Sequence, residues 1–252
     1  MISPLFASLL ALVIILSGAF GGMMLRKVLP DRHLADDTKD AVRLGTGLIG
    51  TIAALVLGLL IAAANSSFDT QRGHVQHVAA DIILLDQFLA QYGPEAQPAR
   101  ERLREAIGPL VERIWRENRS ENAAQSPFEA TRSSQDVAAI VLQLAPKNEV
   151  QRITKDRAIQ ATADLAQTRF LLFERAGRSL PVPFLVVLIF WLAMIFASFG
   201  MFARPNPVLI GALIICAVSA AGALFLVLEL SDPFTGLMQI SSVPLRNALA
   251  PL

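Results

Sequence analysis

The chain has one cysteine, Cys216, so a disulfide framework is excluded. It also has little charge: Asp, Glu, Lys and Arg make up 17% of 252 residues, against about 25% in soluble domains. With 54% apolar residues, neither a disordered chain nor an ordinary soluble domain fits this composition. No glycine-rich phosphate loop, nucleophile elbow or Cys–His pattern is present, and Cys216 sits deep in an apolar run where a thiolate is disfavoured. The sequence therefore gives no support to an enzyme, and no cofactor is expected.

The apolar residues are concentrated. Residues 3–25, 44–64, 183–202 and 208–228 lack Asp, Glu, Lys, Arg and His. Each reaches the roughly 20 residues that a helix needs to cross a bilayer. Residues 65–182 hold 15 of the 22 basic and 15 of the 21 acidic residues, a polar domain of zero formal charge with no nucleic-acid footprint. The organisation expected is all-α: 1–64 with spans one and two, 65–182 as an inserted helical domain, 183–230 with spans three and four, and 231–252 as a C-terminal segment. Met1-Ile2-Ser3-Pro4 lacks a basic leader and the run behind it is long, so the first span reads as a retained helix. Basic residues near the span ends are six on one face (Arg26, Lys27, Arg32, Lys39, Arg43, Arg204) and five on the other (Arg72, Arg169, Arg175, Arg178, Arg246), which does not decide orientation.

Helical spacing dominates the central domain. Val75, Val78, Ala79, Ile82, Leu85, Leu89 and Tyr92 share one face up to Gly93-Pro94; Leu103, Ile107, Leu110, Val111 and Ile114 form a second. Val137, Ile140, Val141 and Leu144 predict a third helix, and Val150, Ile153, Ala161, Leu165 and Leu172 a fourth, with breaks at residues 119–131 and 145–148. No Gly or Pro lies between Ala64 and Gln71, so span two should leave the membrane as one rod. Arg204-Pro205-Asn206-Pro207 predicts an antiparallel hairpin of spans three and four.

Span two carries two stripes at four-residue steps. Gly50, Ala54, Gly58 and Ala62 are small and suit close helix contact in lipid. Thr51, Leu55, Leu59 and Ala63, one residue on, could face a shared axis as an apolar constriction. The alternative for both is ordinary packing within one subunit. No span has a charge at its centre, which argues against a proton relay. On the helix beyond, His74, His77 and Asp81 offer two imidazoles and a carboxylate, but one helix cannot close a tetrahedral metal site and a solvated face is the simpler role. His33 falls in a charged link.

Asn65-Ser66-Ser67-Phe68-Asp69-Thr70-Gln71-Arg72 resembles the point where the second span of bestrophin anion channels leaves the membrane. Leu228-Glu229-Leu230-Ser231-Asp232-Pro233-Phe234-Thr235-Gly236 resembles the acidic-Asp-Pro-Phe-Gly stretch after their last span. Together with Leu84-Leu85-Asp86, Tyr92-Gly93-Pro94-Glu95 and residues 241–249, the chain is similar to the bacterial bestrophin-like domain family. The resemblance implies a homopentamer in the bacterial inner membrane, passing small inorganic ions, with the inserted domain and both termini cytoplasmic. It implies a neck at Leu55 and Leu59, with Thr51 or Ala63 added according to the alignment, and an exit at Asn65, Ser66 and Arg72. Two departures stand out: bestrophin necks use bulkier Ile and Phe, and Leu237-Met238-Gln239-Ile240 replaces the acidic run that helps animal bestrophins hold calcium, so no calcium clasp is expected. The rival reading is a non-conducting scaffold or sensor that binds a partner through its central helices; a proton-channel stator ranks lower, since spans three and four offer only Ser198 and Ser219.

Overall fold

The computed structural model describes residues 3–28, 36–117, 136–176, 182–203 and 206–248. His33, Arg32, Arg178, Arg204 and the break at 119–131 lie outside the described residues. Those described form helices and no strand: α1 (Pro4–Val28), α2 (Asp36–Tyr92), a 3₁₀ turn (Pro94–Ala96), α3 (Gln97–Glu117), α4 (136–143), α5 (Glu149–Ala176), α6 (Val182–Phe202), α7 (Pro207–Leu230) and α8 (Val243–Asn247). α1, α2, α6 and α7 are long and apolar enough to cross a membrane. α2 is one continuous helix of 57 residues with no proline inside it. It stops at Tyr92 because Gly93 takes φ 123°, open to glycine and strained for other residues, and Pro94 cannot continue the ladder.

The chain divides into two compact units, Met1–Ser67 with Leu180–Ser231, and Phe68–Ser179 with Asp232–Leu252. In the first, α1 is the common partner of α6 and α7. Ile15 and Ala19 of α1 share a core with Phe196 of α6 and with Leu213 and Ala217 of α7. The link expected to turn α6 back into α7 includes Arg204 and Pro205, outside the described residues, and the packing seen is of both helices on α1. Glycines make this possible, because a Cβ on Gly18 or Gly22 would strike the Ala193 or Ala197 carbonyl, and one on Gly200 the Ala19 carbonyl. Such contact replaces the hydrophobic drive that lipid does not supply. At the start of α7, Asn206 caps the helix, its Oδ1 accepting from the Leu209 N–H at 2.6 Å.

The second unit is an ordinary helical core. Val75, Val78, Ala79, Ile82, Leu85, Leu89 and Tyr92 are all buried, as are Leu103, Ile107, Leu110, Val111 and Ile114, so the spacing of α2 and α3 placed their faces correctly. α5 corrects the expectation. Val150 and Ile153 are 61% and 48% exposed, and the buried face runs Thr154, Ala158, Ala161, Leu165, Arg169, Leu172. Polar members hide that stripe from a hydropathy reading; the Thr154 hydroxyl is satisfied by donating to the Val150 carbonyl at 2.8 Å.

Polar ties fix the joints of this unit. Arg100 of α3 donates twice to Asp86 of α2, both at 2.9 Å, a bidentate pair that holds the carboxyl below its ordinary range against the opposing effect of partial burial. Lys147 bonds Glu95 at 2.7 Å, and Gln151 reaches the Tyr92 carbonyl at 3.0 Å, tying the end of α2 to the start of α5. Lys155 donates to the Leu142 and Leu144 carbonyls at the end of α4. The C-terminal residues are anchored on α3: the Trp115 indole donates to the Ile240 carbonyl at 2.9 Å and meets Phe234 edge-on at 5.6 Å. Gly236, at φ 83°, permits the turn by which Ile240 N–H reaches the Pro233 carbonyl at 2.7 Å.

Candidate functional site

The candidate site is the apolar part of α2. Its face toward the rest of its unit carries Ala53, Leu60 and Ala64, all buried, with Val56 and Leu57 half-buried between them. Neither stripe singled out by spacing lies on that face. Leu55 and Leu59 are 65% and 62% exposed, and Thr51 and Ala63 are exposed on either side of them. Thr51 spends its hydroxyl on the Gly47 carbonyl at 3.0 Å, so the stripe is apolar in effect. In the small-residue stripe Ala54, Gly58 and Ala62 are exposed and Gly50 half-buried; a Cβ on Gly58 would meet nothing within 4 Å. Packing inside a single chain therefore accounts for neither stripe.

Further along α2, Asn65, Ser66 and Arg72 are exposed. Gln71, next to Arg72, is only 2% exposed, a buried polar residue that hydropathy spacing does not mark. Glu229, in the last turn of α7, is likewise buried, and Arg169 lies buried on the inner face of α5. Arg169 falls four residues after Leu165 and three before Leu172, in register with the buried stripe, but its charge hides it from a hydropathy reading.

His74, His77 and Asp81 do not assemble into a metal centre. Among the described residues no three His, Cys, Asp or Glu side chains come together as ligands. Asp81 instead faces α5, where the Thr168 hydroxyl donates to its Oδ2 at 3.4 Å. Burial, reinforced by the Asp164 carboxylate, raises Asp81 above the ordinary aspartate range; the Thr168 bond and His77 act the other way.

α2 is thus a long helix with an outward apolar stripe followed by Asn65 and Ser66, and the Asp232–Gly236 turn is locked onto a helical domain. The Bestrophin-like domain model matches residues 13–245. The chain belongs to the bestrophin-like family. Solved structures agree on the fold. A bacterial bestrophin homologue from Klebsiella pneumoniae, phased on zinc, is 17% identical with a TM-score of 0.69, covering 97% of each chain. A single-substitution variant from the same organism is 16% identical with a TM-score of 0.69, covering 98% of this chain and 99% of its own. A crystal structure described as a membrane protein is 17% identical with a TM-score of 0.70, covering 97% of both. No curated protein matches the chain. This bestrophin-like protein is thus an all-helical membrane protein.

Proposed function

We propose that this bestrophin-like protein is an oligomeric channel for small anions, with four spans per subunit and the neck on α2. Five copies surround one axis, Leu55 and Leu59 form the constriction, and Thr51 and Ala63 border it. Gly50, Ala54, Gly58 and Ala62 let the neighbouring copy approach closely. Asn65, Ser66 and Arg72 rehydrate and attract the ion as it leaves the apolar neck. The helical unit and both termini lie on the cytoplasmic side of the bacterial inner membrane. No catalytic role is proposed.

The observation that carries this reading is the pair of exposed stripes on α2, which packing within the chain leaves uncovered. In liposomes of the purified chain, chloride flux is expected, and Leu55→Ala with Leu59→Ala should raise it several-fold by removing the dewetting barrier. Unchanged flux in a correctly assembled double variant removes the neck assignment. A second reading, a non-conducting scaffold, is favoured by Leu142, Val150 and Ile153, apolar residues exposed on the helical unit. A stable oligomer without flux would select it.

A further inference from the structure

Between α2 and α6 lies a cavity of about 400 Å³ whose walls include Lys39, Arg43, Gly47, Gly50, Phe199 and Phe202. Lys39 and Arg43 are four residues apart and so share one face of α2. Among the described residues no acidic side chain lines the cavity; Asp40 comes within 3.9 Å of Arg43 at an exposed position. The rest of the wall is almost wholly apolar. The uncharged run of α2 begins at Leu44 and α6 ends at Phe202, which puts the two cations where hydrocarbon gives way to headgroups.

A second cavity of about 380 Å³ adjoins the first, sharing Thr46, Ile195 and Ser198 with it. Thr46 and Ser198 are hydrogen-bonded at 3.2 Å, and Thr46 donates to the Val42 carbonyl at 2.6 Å, so the polar atoms at the join are already satisfied. Beyond it the wall is glycine and flexible thioether: Gly18, Gly22, Met194 and Met201. A flexible hydrocarbon chain fits both.

We propose that this cleft binds an anionic phospholipid, its phosphate held by Lys39 and Arg43 and an acyl chain laid along Gly47, Ile195 and Phe199 toward Met194 and Met201. The apolar wall selects a lipid over a free anion, and the two cations select an anionic headgroup over a zwitterionic one. Conduction plays no part in the inference, so it stands or falls separately from the channel reading.

The test is lipid retention by the full chain, purified and delipidated in detergent, read by native mass measurement and thermal unfolding. Phosphatidylglycerol should remain bound and raise Tm by several degrees, while phosphatidylcholine at the same ratio does neither. Lys39→Gln with Arg43→Gln should weaken phosphatidylglycerol retention about tenfold while leaving the lipid-free Tm unchanged. Gly47→Trp, whose Cβ enters open space, should block retention without changing the oligomer mass. Equal retention of the two lipids overturns the proposal, as does a double variant that holds phosphatidylglycerol like the parent. Glycerol phosphate alone reproducing the Tm shift would make the site a plain anion site. Dissociation of the oligomer by Gly47→Trp would assign the cleft to a second copy.

Discussion

Leu55 and Leu59 lie on the same helix as Leu85 and Leu89, thirty residues away, and their environments are opposite. The first pair is mostly exposed; the second is fully buried. In the helical unit water drives apolar side chains inward, and α2, α3, α4 and α5 meet through a continuous core. In the apolar unit no more than 28% of any span's most apolar window is buried inside the chain. Lipid is as apolar as leucine, so nothing drives leucine inward there, and helices meet where glycine and alanine let backbones touch. A single helix thus obeys two solvents, and the meaning of an exposed leucine changes along it.

The strongest way to break this contrast is to make the same cut on both sides. Leu85→Ala should destabilise the helical unit by about 3 kcal/mol, whereas Leu55→Ala should leave unfolding nearly unchanged while altering flux. Equal losses in chemical denaturation would mean that the α2 stripe is packed like a core. Next in size is the tie between α2 and α3: Arg100→Gln strips Asp86 of both hydrogen bonds and should cost about 2 kcal/mol at neutral pH. Because Arg100 depresses the Asp86 pKa, that stability is present above the ordinary aspartate value and fades as pH falls through the folded one. The gap between parent and variant should therefore narrow in unfolding measured below about pH 4.

In the apolar unit the matching cut is an addition. Gly22→Ala drives a methyl into the Ala197 carbonyl and should lower stability by about 1–2 kcal/mol, read as a lower Tm in detergent. An unchanged Tm would show that α1 and α6 are not locked at that point. The smallest effect has the opposite sign. Asp81 has a raised pKa, so its charged form opposes folding once pH exceeds the ordinary aspartate value. Asp81→Asn should stabilise the helical unit by less than about 1 kcal/mol at pH 7, with the gain vanishing below about pH 4.

Spacing revealed most where water does the sorting. The faces of α2 beyond Gln71 and of α3 were readable residue by residue because each apolar side chain there has one favourable direction. On α5 the same method put Val150 and Ile153 inside, since the true stripe includes Thr154 and Arg169, whose burial depends on partners that hydropathy does not register. In the spans, spacing found the two stripes of α2 but not what covers them. It also passed over the interlock of Gly18, Gly22 and Gly200: where every residue is apolar, only a neighbouring helix distinguishes a glycine that packs from one that does not. The Lys39–Arg43 cleft was hidden for a related reason. In sequence its basic residues mark only the end of a span, and the wall that completes the cleft is about 150 residues away on α6.

The bond from the Trp115 indole to the Ile240 carbonyl has an experimental use. The chain has two tryptophans, and the other, Trp191, stands on α6 in the apolar unit. Each unit thus carries its own fluorophore. Release of the C-terminal turn from α3 would hydrate the Trp115 ring and shift its emission to the red while Trp191 kept its colour. In a Trp191→Phe background, light alone would report whether the Asp232–Gly236 turn is docked, without any added label.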